Sequence, residues 1–280
     1  RLHKKNPWSK YKTFYDVYKK GETPYNWFSK LLNICNKRNI ILFASVFDIS
    51  TVDFLEKKNC PIYKIASAEI TDIPLIEKVS KTGKPVFISS GLADKKDLDL
   101  AIRILKKNCK KIVLMQCTST YPAPIEEVNI KTMIDYEKKF KVKIGYSDHT
   151  SDNISSIVAA SHGARVIEKH VVINKNIRSL DSFFSFDLSK FTKFVKDIRL
   201  AEKSLGRIDY SISKSSKISA KNRKSLYVCM DIKKGQKFSK NNIRSIRPGY
   251  GLHPKHFYKI IGKKSRFDYK KGDKLTKHLY

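Results

Sequence analysis

Residues 143–181 read KIGYSDHTSDNISSIVAASHGARVIEKHVVINKNIRSLD. Two apolar, β-type runs within it, residues 142–146 and 164–167, each lead into a polar cluster that ends near a histidine: Ser147-Asp148-His149-Thr150 and Glu168-Lys169-His170. Residues 153–162 between them start polar and then become rich in Ala, Ile and Val, enough chain for a crossover helix. Strand, helix and strand would bring both histidines to one edge of a parallel sheet, the edge where ligands sit in α/β folds. Two imidazoles arriving from successive strands suggest a divalent-metal site, because neutral imidazole is a common metal ligand. The competing reading is a pair of structural histidines, satisfied by hydrogen bonds beside their strands.

Outward from this stretch the same unit repeats. Strand-like runs at 40–47, 61–65, 85–89 and 111–117 precede the two above, and helical patterns at 50–58, 71–82, 94–107, 126–140, 153–162 and 188–204 follow them. Ser50 is the expected cap of the first of these helices. Ahead of the series, residues 6–28 are crowded with aromatics, and Thr23-Pro24 marks a helix start. Regular βα alternation predicts a parallel sheet with helices outside it. Six units fit a doubly wound sheet or a (β/α)8 TIM barrel lacking its first two strands. The polar residues favour the barrel: each strand ends in small or polar groups, whereas a single switch-point crevice would draw on few strands.

The chain of 280 residues is long enough for a full core and a second small domain. Residues 1–205 are expected to form the barrel-like domain, 206–221 a Ser- and Lys-rich linker, and 222–280 a small β-rich domain built from short runs broken by Gly and Pro. The formal net charge is +32, of which +17 falls in residues 206–280. Such an excess admits nucleic acid or an anionic substrate as partner. The lysines are nevertheless scattered, often where a solvated helix face would have them, which favours solvated faces and disfavours nucleic acid. Five cysteines, an odd number without a CxxC pair, point to a reducing, cytoplasmic setting. No apolar run approaches the ~20 residues of a membrane span.

Several strand-end groups invite chemistry. Lys64 and Glu69 bracket KIASAE, where a lysine can grip a phosphate or carboxylate and a glutamate can move a proton; a surface ion pair is the plainer reading. Ser89-Ser90-Gly91 offers hydroxyls and amides as an anion cradle. Cys117 falls inside an apolar strand and reads as a buried structural thiol. Asp181 reads equally as a base or hydroxyl binder and as a turn cap.

The ordered motifs KIASAE, ISSG, CTSTYPAP, SDHT, IEKH, DSFFS and IRPGYGLHP resemble the sialic acid synthase family, which condenses phosphoenolpyruvate with an amino sugar. The similarity runs from residue 8 onward. FYDVYKKGETPYNW and RPGYGLHP resemble its pseudaminic branch more than its neuraminate branch, with the neuraminate and legionaminate branches as alternatives. The resemblance implies a TIM barrel followed by an antifreeze-like (SAF) domain, and it implies roles. His149 and His170 match ligands of a Mn²⁺ or Mg²⁺ ion. Lys64, Ser89, Ser119 and Ser147 match phosphoenolpyruvate-binding positions, while Glu69, Tyr121 and Asp181 match catalytic positions around the acetamido sugar or its carbonyl. Arg247 matches an arginine inserted into the partner's barrel, which implies a domain-swapped homodimer. It also implies two further strands ahead of Arg1, so the chain reads as truncated and its activity in this form is left open. Val46, Ser151-Asp152 and Ser179-Leu180 depart from the family pattern, which leaves local loop shape open there but does not touch the implied metal ligands. A noncatalytic anion- or nucleic-acid-binding protein is the alternative from another class, motivated by the charge.

Overall fold

The computed structural model describes residues 7–277. The chain divides into two units between Gly206 and Arg207, and each is described by itself. The first unit opens with helix α1 (Phe14–Gly21), where the Thr13 hydroxyl accepts from the Asp16 amide and the Asp16 carboxylate accepts from the Thr13 amide. This reciprocal cap satisfies donors that a helix start leaves open. Helix α2 (Tyr25–Lys37) follows, with Pro24 at its cap position.

The repeating units are β1 (Ala44–Ser45), α3 (Ile49–Lys57), β2 (Tyr63–Ile65), α4 (Ile73–Lys81), β3 (Val86–Ser89), α5 (Lys95–Leu105), β4 (Ile112–Cys117), α6 (Ile130–Phe140), β5 (Lys143–Asp148), α7 (Ile154–Ser161) and β6 (Val166–Lys169). Strands β1 to β6 form one parallel sheet in sequential order. That order is the one a barrel uses, and a doubly wound sheet would reverse it at a switch point. The sheet also curls. Lys64 on β2 and Glu168 on β6 lie four strands apart, which in a flat sheet is roughly 19 Å at about 4.8 Å per strand. Their charged atoms are 3.1 Å apart, so the two strands face each other across a concave interior. The fold is TIM-barrel-like, with a six-stranded arc of parallel sheet.

Apolar side chains on the outer face of this arc meet the helices. Val86, Ile88, Leu114 and Ile144 are essentially excluded from solvent and pack with Leu75, Ile76, Val79, Leu98, Ile102 and Leu105 of α4 and α5. Beyond β6, the short strands β7 (Val171–Val172) and β8 (Phe186–Asp187) pair parallel. Helix α8 (Leu188–Leu205) then packs Phe194 and Ile198 against Ala160 of α7.

The boundaries differ from the sequence reading for identifiable reasons. Asp48, not Ser50, caps α3: its carboxylate takes the Thr51 amide and the hydroxyls of Ser50 and Thr51. The single helix expected over 126–140 is a 3₁₀ turn, Ile125–Glu127, and then α6. Asn129 between them has φ of 45°, a left-handed conformation that redirects the chain. The run at 40–47 is paired only at Ala44 and Ser45, since β1 has a ladder with β2 alone.

In the second unit, residues 211–219 are exposed and include a short helix, α9 (Ser216–Ala220), within the stretch expected as a linker. Strands β9 (Ser225–Val228) and β10 (Ile243–Ile246) pair antiparallel. With the four-residue helix α10 (Phe257–Ile260) they enclose a small core of Leu226, Val228, Ile232, Phe238, Ile243, Ile260 and Leu275. Among the described residues, no helix is long and apolar enough to cross a membrane.

One charged contact lies wholly inside the first unit. Asp148 and Lys169 sit opposite each other in the β5–β6 register, 2.9 Å apart, with side chains 0% and 3% exposed. Asp148 also accepts from the Thr150 amide and hydroxyl and from the Ser156 hydroxyl of α7, while Lys169 donates to the Thr150 and Asp152 carbonyls. Replacing Lys169 by Met leaves a buried carboxylate without its cation. Denaturant titration should show a loss of about 3–5 kcal/mol, partly recovered in the Asp148→Asn/Lys169→Met double variant.

Candidate functional site

Side chains on a strand alternate between faces. Because Asp148 turns outward to Ser156 on α7, its neighbours Ser147 and His149 turn to the concave face. The same alternation on β6 puts Lys169 outside and Glu168 and His170 inside, so two consecutive strands deliver a hydrogen-bonded serine and glutamate and two imidazoles to the strand ends.

On one side is an anion-suited cluster. Lys64, 5% exposed, meets Glu168 at 3.1 Å, and the Ser147 hydroxyl donates to the same Glu168 oxygen at 2.7 Å. The Gly91 amide donates to the Ser67 hydroxyl. A Cβ on Gly91 would lie 2.3 Å from the Ser119 hydroxyl, so only glycine lets the turn after β3 approach the turn after β4. Two further polar atoms are buried without a partner: Ser89 Oγ at the end of β3 and Glu69 Oε2 in the 3₁₀ turn Ser67–Thr71. Burial pushes the Glu69 carboxyl above its ordinary value, against the smaller opposing pull of Lys64. Buried polar atoms in native proteins normally have partners, so these two orphans have hydrogen-bonding capacity that a ligand atom could fill.

On the other side stand the histidines, with ring centroids 5.3 Å apart. The His149 Nδ1 is 2.9 Å from the Thr118 carbonyl oxygen. A carbonyl only accepts, so Nδ1 carries the proton and Nε2 keeps its lone pair. Burial lowers the His149 pKa, which favours the neutral ring. A neutral imidazole with one nitrogen held by a backbone carbonyl and the other open is the form in which histidine binds metal. His170 Nδ1 lies 3.6 Å from an Asp181 carboxylate oxygen. Among the described residues no group of three or more His, Cys, Asp and Glu side chains gathers as a ligand set. An ion held here would complete its shell with water or substrate oxygen, as Mg²⁺ commonly does.

Tyr121 sits beside both imidazoles, its ring centroid 4.3 Å from that of His149 and 6.0 Å from that of His170. Burial pushes its phenol up to about 12, so it is a proton-bearing donor at neutral pH. Cys117 is buried, and its sulfur lies 3.8 Å from His149 Nδ1; that nitrogen's short contact is to Thr118, which leaves no thiol–base pair.

The structure thus gathers Lys64, Ser119, Tyr121, Ser147, His149, His170 and Asp181 through linked contacts and puts Glu69 and Ser89 at neighbouring strand ends. Arg247 is exposed in the second unit, immediately after β10. One expectation changes: Lys64 pairs with Glu168, not with the nearby Glu69. Glu168 and the aromatic group Trp8, Phe183 and Phe184 lie in stretches noted in the sequence, but none was given a role at the site. The period-2 alternation from His170 was the signal that points Glu168 inward; nothing local foretells the aromatic group.

Residues 1–210 match the NeuB family and residues 223–279 match the SAF domain. The chain is 39% identical over 272 residues to pseudaminic acid synthase of Campylobacter jejuni subsp. jejuni serotype O:2, covering 96% of this chain and 78% of that one. It is 36% identical over 251 residues to N,N'-diacetyllegionaminic acid synthase of the same organism, covering 87% and 74%. The crystal structure of N-acetylneuraminic acid (sialic acid) synthetase from Leptospira borgpetersenii serovar Hardjo-bovis superposes with a TM-score of 0.69 at 27% identity, over 76% of each chain. With the family match spanning three quarters of its length and relatives at this identity, the chain belongs to the NeuB family.

Proposed function

We propose that this chain is a phosphoenolpyruvate-dependent synthase of the pseudaminic branch. It would join phosphoenolpyruvate to a 2,4-diacetamido-2,4,6-trideoxy hexose, giving a nonulosonic acid and phosphate. The observation that carries this reading is the pairing of two facing imidazoles with a buried lysine and serine cluster, in a chain 39% identical to a pseudaminic acid synthase.

Lys64, Ser89, Ser119 and Ser147 supply donors for the carboxylate and phosphate of phosphoenolpyruvate. Glu168 holds Lys64 and the Ser147 hydroxyl ready on the concave face. His149 and His170 would hold the Mn²⁺ or Mg²⁺. The bound ion supplies Lewis-acid polarisation of the sugar carbonyl. Tyr121 donates a hydrogen bond to a sugar oxygen, Glu69 holds or moves a proton there, and Asp181 orients the His170 ring or a sugar hydroxyl. Water exclusion falls to the small domain. Its exposed Arg247 would reach the sugar in a partner's barrel, within a domain-swapped homodimer. The unpaired cysteines accord with a cytoplasmic site of action.

Incubated with both substrates, the protein should release phosphate with the trideoxy diacetamido hexose and turn over N-acetylmannosamine poorly. His149→Ala, His170→Ala or chelation should each remove activity, and the variants should melt within a few degrees of the parent. Efficient N-acetylmannosamine turnover would place the chain in the neuraminate branch, and full activity after chelation would end the metal assignment.

Arg247→Ala should raise the sugar KM far more than the phosphoenolpyruvate KM. Mixing Arg247→Ala with His149→Ala protein should restore part of the activity through hybrid dimers. Proven subunit exchange without recovery would rule out the swap.

The buried Glu69 carboxyl also has a pH signature. A group whose folded pKa is raised adds stability below its unfolded value, about 4.3, and loses it as pH rises through the folded value. Thermal melts from pH 4 to 8 should therefore show Glu69→Gln gaining on the parent as pH rises; a constant difference would mean that this carboxyl carries no such linkage.

A further inference from the structure

The aromatic start of the chain has no part in the chemistry above, yet the fold brings it to the histidine side of the site. Trp8 Nε1 donates to the Leu180 carbonyl at 3.0 Å, a contact between residues 172 positions apart. Its ring lies against Tyr121 at 5.9 Å and against Phe183 at 6.4 Å. Phe183 continues to Phe184 at 4.9 Å, and Phe184 to His170 at 4.8 Å and Tyr121 at 4.7 Å. Leu180 also lies close to the end of α1, since a Cβ on Gly21 would come within 2.8 Å of Leu180 Cδ1. The loop carrying Asp181, Phe183 and Phe184 is thus clamped by residues 8–21, and Asp181 closes it by accepting from the Ser185 hydroxyl and amide through its carbonyl.

Two faces of the site therefore differ in kind. The Lys64 side is charged and hydroxylic; the Trp8 side is a continuous run of rings leading to the imidazoles. Phe184 is buried, but Phe183, one ring further from the imidazoles, remains 50% exposed beside Trp8. A methyl group packed on such a surface buries apolar area, whereas a hydroxyl at the same place would lose its hydrogen bonds to water without a partner.

We infer that Trp8, with Phe183, is a specificity-determining residue that packs on a methyl group of the amino sugar, and so selects methyl-bearing sugars over their hydroxylated or unacetylated counterparts. This rests on the proposed sugar-condensing function. The sugar carries three methyls, but the acetamido methyl at C2 is common to all the sugars compared and cannot select among them, which leaves two sources, the deoxy carbon at C6 and the methyl of the acetamido group at C4. An apolar pocket that senses one methyl discriminates by about 10- to 200-fold.

The test is binding to the full chain by calorimetry, in the presence of Mn²⁺, for the parent, Trp8→Ala and Trp8→Phe. The probes are phosphoenolpyruvate, the 2,4-diacetamido-2,4,6-trideoxy hexose, its C6-hydroxylated analogue and its C4-amino analogue. Trp8→Ala should weaken the trideoxy diacetamido sugar by about tenfold, on the scale of one methyl contact. It should leave phosphoenolpyruvate unchanged and spare the one analogue that lacks the methyl touched by Trp8. Sparing of the hydroxylated analogue names C6, and sparing of the amino analogue names the acetyl group; Trp8→Phe should keep most of the selectivity. Emission of Trp8 in a Trp27→Phe background, the chain having two tryptophans, should shift on sugar addition and not on phosphoenolpyruvate addition. Equal weakening of all three sugars, a parallel loss of phosphoenolpyruvate affinity, or no change at all would overturn the inference by reducing Trp8 to a loop clamp or less. If the parent binds none of the three sugars, the functional reading itself falls, an outcome already visible before any variant is compared.

Discussion

The buried contact between Asp148 and Lys169 controls what the strand ends can present. Two charges removed from water cost several kcal/mol each unless their remaining hydrogen-bonding capacity is filled. Here it is filled, by Thr150 and Ser156 around the carboxylate and by two carbonyls around the ammonium. Both partners sit in register and face outward, so the residue after each must face inward. Those residues are His149 and His170. A slip of one position along β5 or β6 would bring the histidines outward and carry the charges into the concave interior without their partners, so the pair opposes the wrong register as much as it supports the right one.

The concave face is held in a state that favours ligands over stability. A buried polar atom without a partner costs about 1–3 kcal/mol, and Ser89 Oγ and Glu69 Oε2 are both in that position. Lys64 is nearly enclosed and has Glu168 as its ion-pair partner. An incoming anion would meet donors already oriented and desolvated, which is how a site lowers the reorganisation needed at the moment of reaction. The apolar core under β3 to β5, where Ile88, Leu114 and Ile144 are fully excluded from solvent, offsets these local costs. The net charge of +32 would add a longer-range attraction for any anionic ligand.

Local signals were sufficient wherever a pattern repeats along the chain. The alternation of β-type runs with helical patterns announced a parallel sheet, and the polar residue at each strand end announced its ligand-facing edge. The two histidines were visible because each follows an apolar run at the same offset. Other features depend on positions remote in sequence. Asn129 splits an expected helix through a left-handed backbone that helical periodicity does not register. The partner of Lys64 is Glu168, 104 positions away, and not Glu69 five positions away, because curling of the sheet sets β2 opposite β6. Trp8 reaches Tyr121 and the loop at 180–183 for a similar reason: its indole N–H and its ring are satisfied by groups the chain brings near only after the arc has closed on them. Periodicity reports which face a residue occupies, since that follows from the geometry of its own strand or helix. Which residue meets it across the interior follows from curvature and packing, and these are properties of the whole sheet.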